Sequence, residues 1–156
     1  QDMKSFFFLL IIGLSYNTCA QWVPSESSIK KADKELLQYF GQDLEKRKIS
    51  SNANHYSLSI NDSIYGYLCF EQSPSKHDNF DFMAIYSSEM KLLKLRVLVY
   101  RENYGGEISN KRWLDQFVTR TSRKVQAISG ATISVESLKY SIEQLSEKML
   151  RWKLSN

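Results

Sequence analysis

The spacing of apolar residues changes period along the chain, and each change marks an element. Ile29, Ala32, Leu36, Phe40 and Leu44 recur every three or four positions. That is one face of a helix, and it predicts a helix over 28–44 with Pro24 and the following serines at its start. A polar stretch from Lys46 to Asn54 follows. The period then drops to two. Tyr56, Leu58 and Ile60 alternate with polar residues, Asn61-Asp62-Ser63 is a turn signal, and 64–70 is apolar on both faces with Gly66 inside it. A glycine there marks a bulge or a close backbone approach. Residues 72–79 read as a polar loop containing Pro74. Phe80, Phe82, Ala84 and Tyr86 alternate again, and Leu92 to Tyr100 reads as a long buried strand. Strands with such short turns favour an antiparallel meander.

The last third returns to helical spacing. Asn110 is placed to cap a short helix through Trp113, Leu114 and Phe117. Val135, Leu138, Ile142, Leu145, Met149 and Trp152 then form a clean stripe, which predicts a long final helix from about Ser134. The expected fold is α+β: an antiparallel sheet of about four strands covered by helices, with a long amphipathic helix at the C-terminal end.

Composition narrows the class without naming a chemistry. The net charge of +4 comes from lysines and arginines scattered along the chain. Nucleic-acid binding calls for a concentrated basic patch, so a nucleic-acid partner is not expected. Met3-Lys4, the apolar run Phe6 to Leu14 and the small residues Thr18-Cys19-Ala20 read as an export signal over 1–20, cleaved before Gln21. The apolar run is shorter than the about 20 residues a membrane span needs. Cys19 as a lipid-bearing cysteine is the weaker reading, because Asn17-Thr18 is a poor context for it. The address is therefore periplasmic or envelope-associated. Residues 21–156 form one domain with a single cysteine, Cys69, in an apolar strand where a buried, inert thiol is expected. His55 and His77 carry no spacing that suggests a metal site.

The candidate chemistry lies at the start of the final helix. Ile128-Ser129-Gly130-Ala131-Thr132-Ile133-Ser134 offers hydroxyls, a glycine and unpaired backbone N–H groups beside the positive end of a helix dipole. That combination suits a phosphate, although four such residues also make an ordinary capping turn. A second segment, Glu102 to Glu107, places two acids around Tyr104-Gly105-Gly106.

Taken together, Val125 to Ser134 and Leu98 to Phe117 resemble the FMN-binding domain found in the C and G subunits of sodium-pumping NADH:quinone reductase and Rnf complexes, and in small exported proteins. The resemblance covers about Tyr56 to Leu145. It implies FMN as cofactor, bound noncovalently or joined as a phosphoester through Thr132. It implies Ser129, Gly130, Ala131 and Thr132 at the phosphate, Glu102 and Gly105 beside the flavin, and Tyr104 and Trp113 as ring-stacking candidates. A core role for Trp113 beside Phe117 is equally open. The motif used by flavin-transferring enzymes carries an aspartate six residues before the threonine, where this chain has Gln126. The function implied is a flavin-based electron carrier rather than an independent enzyme, with redox proteins of the cell envelope, and a flavin-transferring enzyme, as partners. The alternative is a flavin-free secreted module of the same fold, used for binding or structure.

Overall fold

The computed structural model describes residues 22–49 and 54–156. The export signal read over 1–20 lies outside them, as do residues 50–53 of the polar stretch. Helix α1 (Glu26–Phe40) opens with Ser25, whose hydroxyl accepts the Ser28 N–H at 3.2 Å, and stops at Gly41. Gly41 takes φ +71°, and its N–H reaches Leu37 O at 2.8 Å. That left-handed cap ends the helix four residues short of the expected Leu44.

Five strands follow in one antiparallel meander: β1 (Glu45–Lys48), β2 (His55–Ile60), β3 (Ser63–Pro74), β4 (Asn79–Ser87) and β5 (Leu92–Val99). β1 is the strand the sequence hides. Its residues Glu-Lys-Arg-Lys are all exposed, so no alternation betrays them, and β1 pairs with β2 through its backbone. A short charged strand is also a usual guard on a sheet edge. The β2–β3 turn puts Asn61 and Asp62 at φ 48° and 62°, the paired positive values of a tight hairpin turn. Gly66 meets both readings of its glycine. The β2–β3 register shifts beside it, and a β-carbon there would stand 2.3 Å from Tyr86 O.

β3 runs on through Pro74, which pairs with Asn79, so the expected loop over 72–79 shrinks to a tip at Ser75–Asp78. Beyond β5 the chain forms a 3-10 turn (Gly106–Ser109), α2 (Lys111–Leu114) and α3 (Gln116–Thr119), a broken version of the single short helix expected. Asn110 does cap it, accepting the Arg112 N–H at 2.9 Å. Helix α4 (Thr132–Leu154) closes the fold.

The sheet is apolar on both faces because both are covered. On one, Tyr67, Cys69, Phe82, Ala84 and Tyr86 pack against Val135, Leu138, Ile142, Leu145 and Met149 of α4 and against Trp113 and Phe117. On the other, Leu58, Leu68, Met83 and Ile85 pack against Ala32 and Leu36 of α1. The Cys69 thiol is fully buried, and burial raises its pKa well above the ordinary value. Glu35 of α1 is a buried charge whose role the apolar pattern does not signal. It pairs with Lys111 at 2.8 Å, Lys94 at 2.9 Å and Arg96 at 3.2 Å. Burial pushes its pKa up, but the bonds from Lys111 and Lys94 and the charges of Lys94 and Arg96 win, holding it at about 2.

Candidate functional site

The start of α4 faces the β3–β4 hairpin tip across a cavity of about 570 Å³, within the usual size of a ligand site. Gly130, Ala131, Thr132, Ile133 and Ser134 form one wall. Ser75, Lys76 and His77 form the other, and Tyr100, Glu102 and Tyr104 of the chain after β5 complete the lining.

Helix α4 begins at Thr132, two residues before the position expected from its stripe. The threonine of the Ser-Gly-Ala-Thr turn is therefore the first helical residue. Ala131 stands at the cap position without a side-chain bond, and no acidic residue lies in the first turn. The N–H groups at this helix start have no side chain to satisfy them, which leaves them for an outside acceptor. Gly130 adopts φ +79° with open space where a β-carbon would stand. Thr132 is exposed to the cavity and Ala131 is buried behind it. Ser129 is exposed but lies outside the lining.

Beneath this turn sits a hydroxyl network that the sequence reading missed. The buried Ser134 hydroxyl bonds to Ser75 and, at 3.0 Å, to the Tyr100 hydroxyl. Ser134 belongs to the apolar stripe's first turn and Ser75 to an apparent loop, so their meeting has no signature in spacing.

Glu102 faces the hairpin tip. Its Oε1 accepts the His77 N–H at 2.7 Å and the Asp78 N–H at 3.3 Å, and its Oε2 accepts His77 Nδ1–H at 2.9 Å. The His77 backbone and ring donors hold its carboxyl at about 2, well below the usual range. An ionised carboxylate only accepts, so Nδ1 carries the imidazole proton in this pair. The base of the same hairpin is braced by Arg101, which donates to Asp81 at 2.7 and 3.0 Å and to Asn79 O at 2.6 Å.

Gly105 does not open the loop toward the cavity. It packs against the Ser-Gly-Ala-Thr turn: a β-carbon on it would lie 2.6 Å from Ala131 Cβ, and its φ is +78°. Tyr104 does line the cavity and is 81% exposed, a ring free to lie on a flat ligand. Trp113 takes the core alternative. It is buried at the end of a T-shaped contact with Phe117, ring centroids 5.4 Å apart, and lies outside the cavity lining. Its Nε1–H donates to Gln126 O at 2.8 Å, which ties the segment leading into the turn to α2. The Gln126 side chain itself is exposed.

Residues 76–147 match the model of the FMN-binding domain family. The match supports an FMN-binding domain over this part of the chain, with FMN as its cofactor. The match takes in the hairpin tip from Lys76 onward, the Glu102 turn and the start of α4, the three pieces that line the cavity. No curated relative matches the sequence. The residues present fit FMN on physical grounds. An uncapped helix start free of acidic side chains suits the phosphate, and the exposed Tyr104 ring suits the flavin.

Proposed function

We propose that this protein is an exported electron carrier whose FMN sits in the cavity between the start of α4 and the β3–β4 tip. The observation that carries the reading is the cavity itself, an uncapped helix start with an exposed aromatic ring across a wide opening. When bound, FMN supplies the capacity to take up and release one or two electrons. The chain's own residues bind and orient it. The N–H groups at Thr132 and beyond receive the phosphate, Gly130 keeps the approach clear, and Tyr104 covers a ring face. Glu102 and His77, the carboxylate and imidazole of this cavity, are engaged with each other and serve the architecture. That arrangement favours electron exchange with other proteins over chemistry on a substrate. The apolar run and small residues of 1–20 support export, and redox proteins of the cell envelope are the partners that such an address offers.

The exposed Thr132 hydroxyl is the point where a phosphoester can form. With Gln126 in place of the motif's aspartate, we take the flavin to be held noncovalently. Protein purified from an exporting host that contains the flavin-transferring enzyme should be yellow and lose its flavin on denaturation. Gln126→Asp should leave fluorescence on the denatured band, and adding Thr132→Val should remove it. After chemical reduction, the protein should pass its electrons to a c-type cytochrome used as probe acceptor. A colourless protein, or one whose reduced flavin cannot reduce the cytochrome, would overturn the carrier reading.

A further inference from the structure

Two side chains of the hairpin tip opposite α4, Ser75 and His77, are fastened to the rest of the fold, and Asp78 closes the tip on itself. Ser75 bonds to Ser134, and His77 is clasped by Glu102 through both backbone and ring. Asp78 accepts the Asn79 N–H at 2.6 Å. The Ser75 N–H closes the tip on Asp78 O at 2.8 Å, and Ser137 of α4 donates to Pro74 O just before it. Lys76 is the exception. It lines the cavity, is exposed, and forms no ion pair among the described residues.

We infer that Lys76 is a phosphate-binding residue of this site, and that Glu102 is the positioning residue that sets it there. The inference rests on FMN occupying the cavity and adds the cation that faces the helix start. A helix terminus contributes only about half an elementary charge, which falls short of balancing a dianionic phosphate. An ammonium on a flexible stem can supply the rest from across an open cavity. The carboxylate of Glu102 would repel the phosphate if it stood bare. Three donors from the tip occupy it instead, so it fixes Lys76 in place while its own charge is offset locally. A tip ordered before the ligand arrives also spares the entropy of ordering it on binding.

Titration of the flavin-free mature chain with FMN and with riboflavin, followed by flavin fluorescence, tests this directly. A host without the flavin-transferring enzyme supplies that protein. Lys76→Gln is expected to weaken FMN binding about tenfold while leaving riboflavin within about twofold. The dependence of FMN affinity on salt should flatten in the same variant, and Lys76→Arg should restore both affinity and salt dependence. Glu102→Ala should lower the preference for FMN as well, and adding Lys76→Gln to it should cost little more, because both act through one element. Thermal melts of each variant establish that it is folded. An unchanged preference for FMN over riboflavin in folded Lys76→Gln would overturn the inference and leave the FMN site standing. An unaltered protein that bound neither flavin would overturn the site and the inference together.

Discussion

Gly105 and Ala131 touch so closely that a β-carbon on Gly105 would stand 2.6 Å from the Ala131 β-carbon. This contact joins the turn after β5 to the turn before α4, and so sets the distance between two linings of the cavity. Gly105 also holds φ +78°, a region that side chains disfavour. Gly105→Ala is therefore expected to destabilise the fold by about 2 kcal/mol in denaturant unfolding and to weaken FMN binding. Gly106→Ala, with no atom near its added β-carbon, is the control and should leave both unchanged. Equal behaviour of the two variants would show that the contact does not govern the site.

Tyr104 and Trp113 separate by role. Tyr104→Ala should weaken FMN and riboflavin alike, by about 1 kcal/mol of lost ring contact, with stability unchanged because the side chain is 81% exposed. Trp113→Phe should do the reverse, costing about 1–2 kcal/mol of stability through the lost bond to Gln126 O and the smaller ring. Its flavin affinity should stay within about twofold, since the indole sits in the core. Calorimetry and thermal melts on both variants measure the two quantities side by side.

Acid should loosen the protein only well below neutrality. Glu35 and Glu102 both have folded pKa values of about 2 against an ordinary 4.5. A carboxyl depressed in the folded state adds stability that is fully present above 4.5 and disappears as pH falls toward 2. Unfolding free energy measured in urea should thus change little on their account between neutrality and pH about 5, then fall steeply. Glu35→Gln should remove part of that slope and cost about 3 kcal/mol at neutral pH, because Lys94, Arg96 and Lys111 lose their common partner. A slope unaffected by this substitution would show that Glu35 does not carry the acid response.

Export predicts a defined mature end. Protein recovered from the envelope fraction should have an intact mass that begins at Gln21. A chain beginning at a lipid-bearing Cys19 would make it a lipoprotein instead.

Local pattern was enough for the elements whose burial is periodic. The stripe from Val135 to Met149 packs as spaced, β2 and β4 form where residues alternate, β3 and β5 where the run is apolar, and Asn110 caps the helix it precedes. The Ser-Gly-Ala-Thr turn was legible as a helix entry because its residues are contiguous, but the start at Thr132, two residues ahead of the expected Ser134, and the positive φ at Gly130 came from the structure. The uniformly charged β1 carried no such signal, since its pairing is made by backbone groups that every residue possesses.

What only the tertiary structure decided is the second half of the site and the setting of its residues. Ser75 and Ser134 are 59 positions apart, and His77 and Glu102 are 25 apart. Trp113 has the same aromatic character whether it stacks on a ligand or on Phe117, and Gly105 is equally glycine whether it faces a flavin or Ala131. Residue type and spacing fix a backbone's local preferences and the faces it will bury. Which distant side chains then share a cavity depends on how the hairpin, the turn after β5 and α4 converge over one edge of the sheet, and that is set by packing of the whole core.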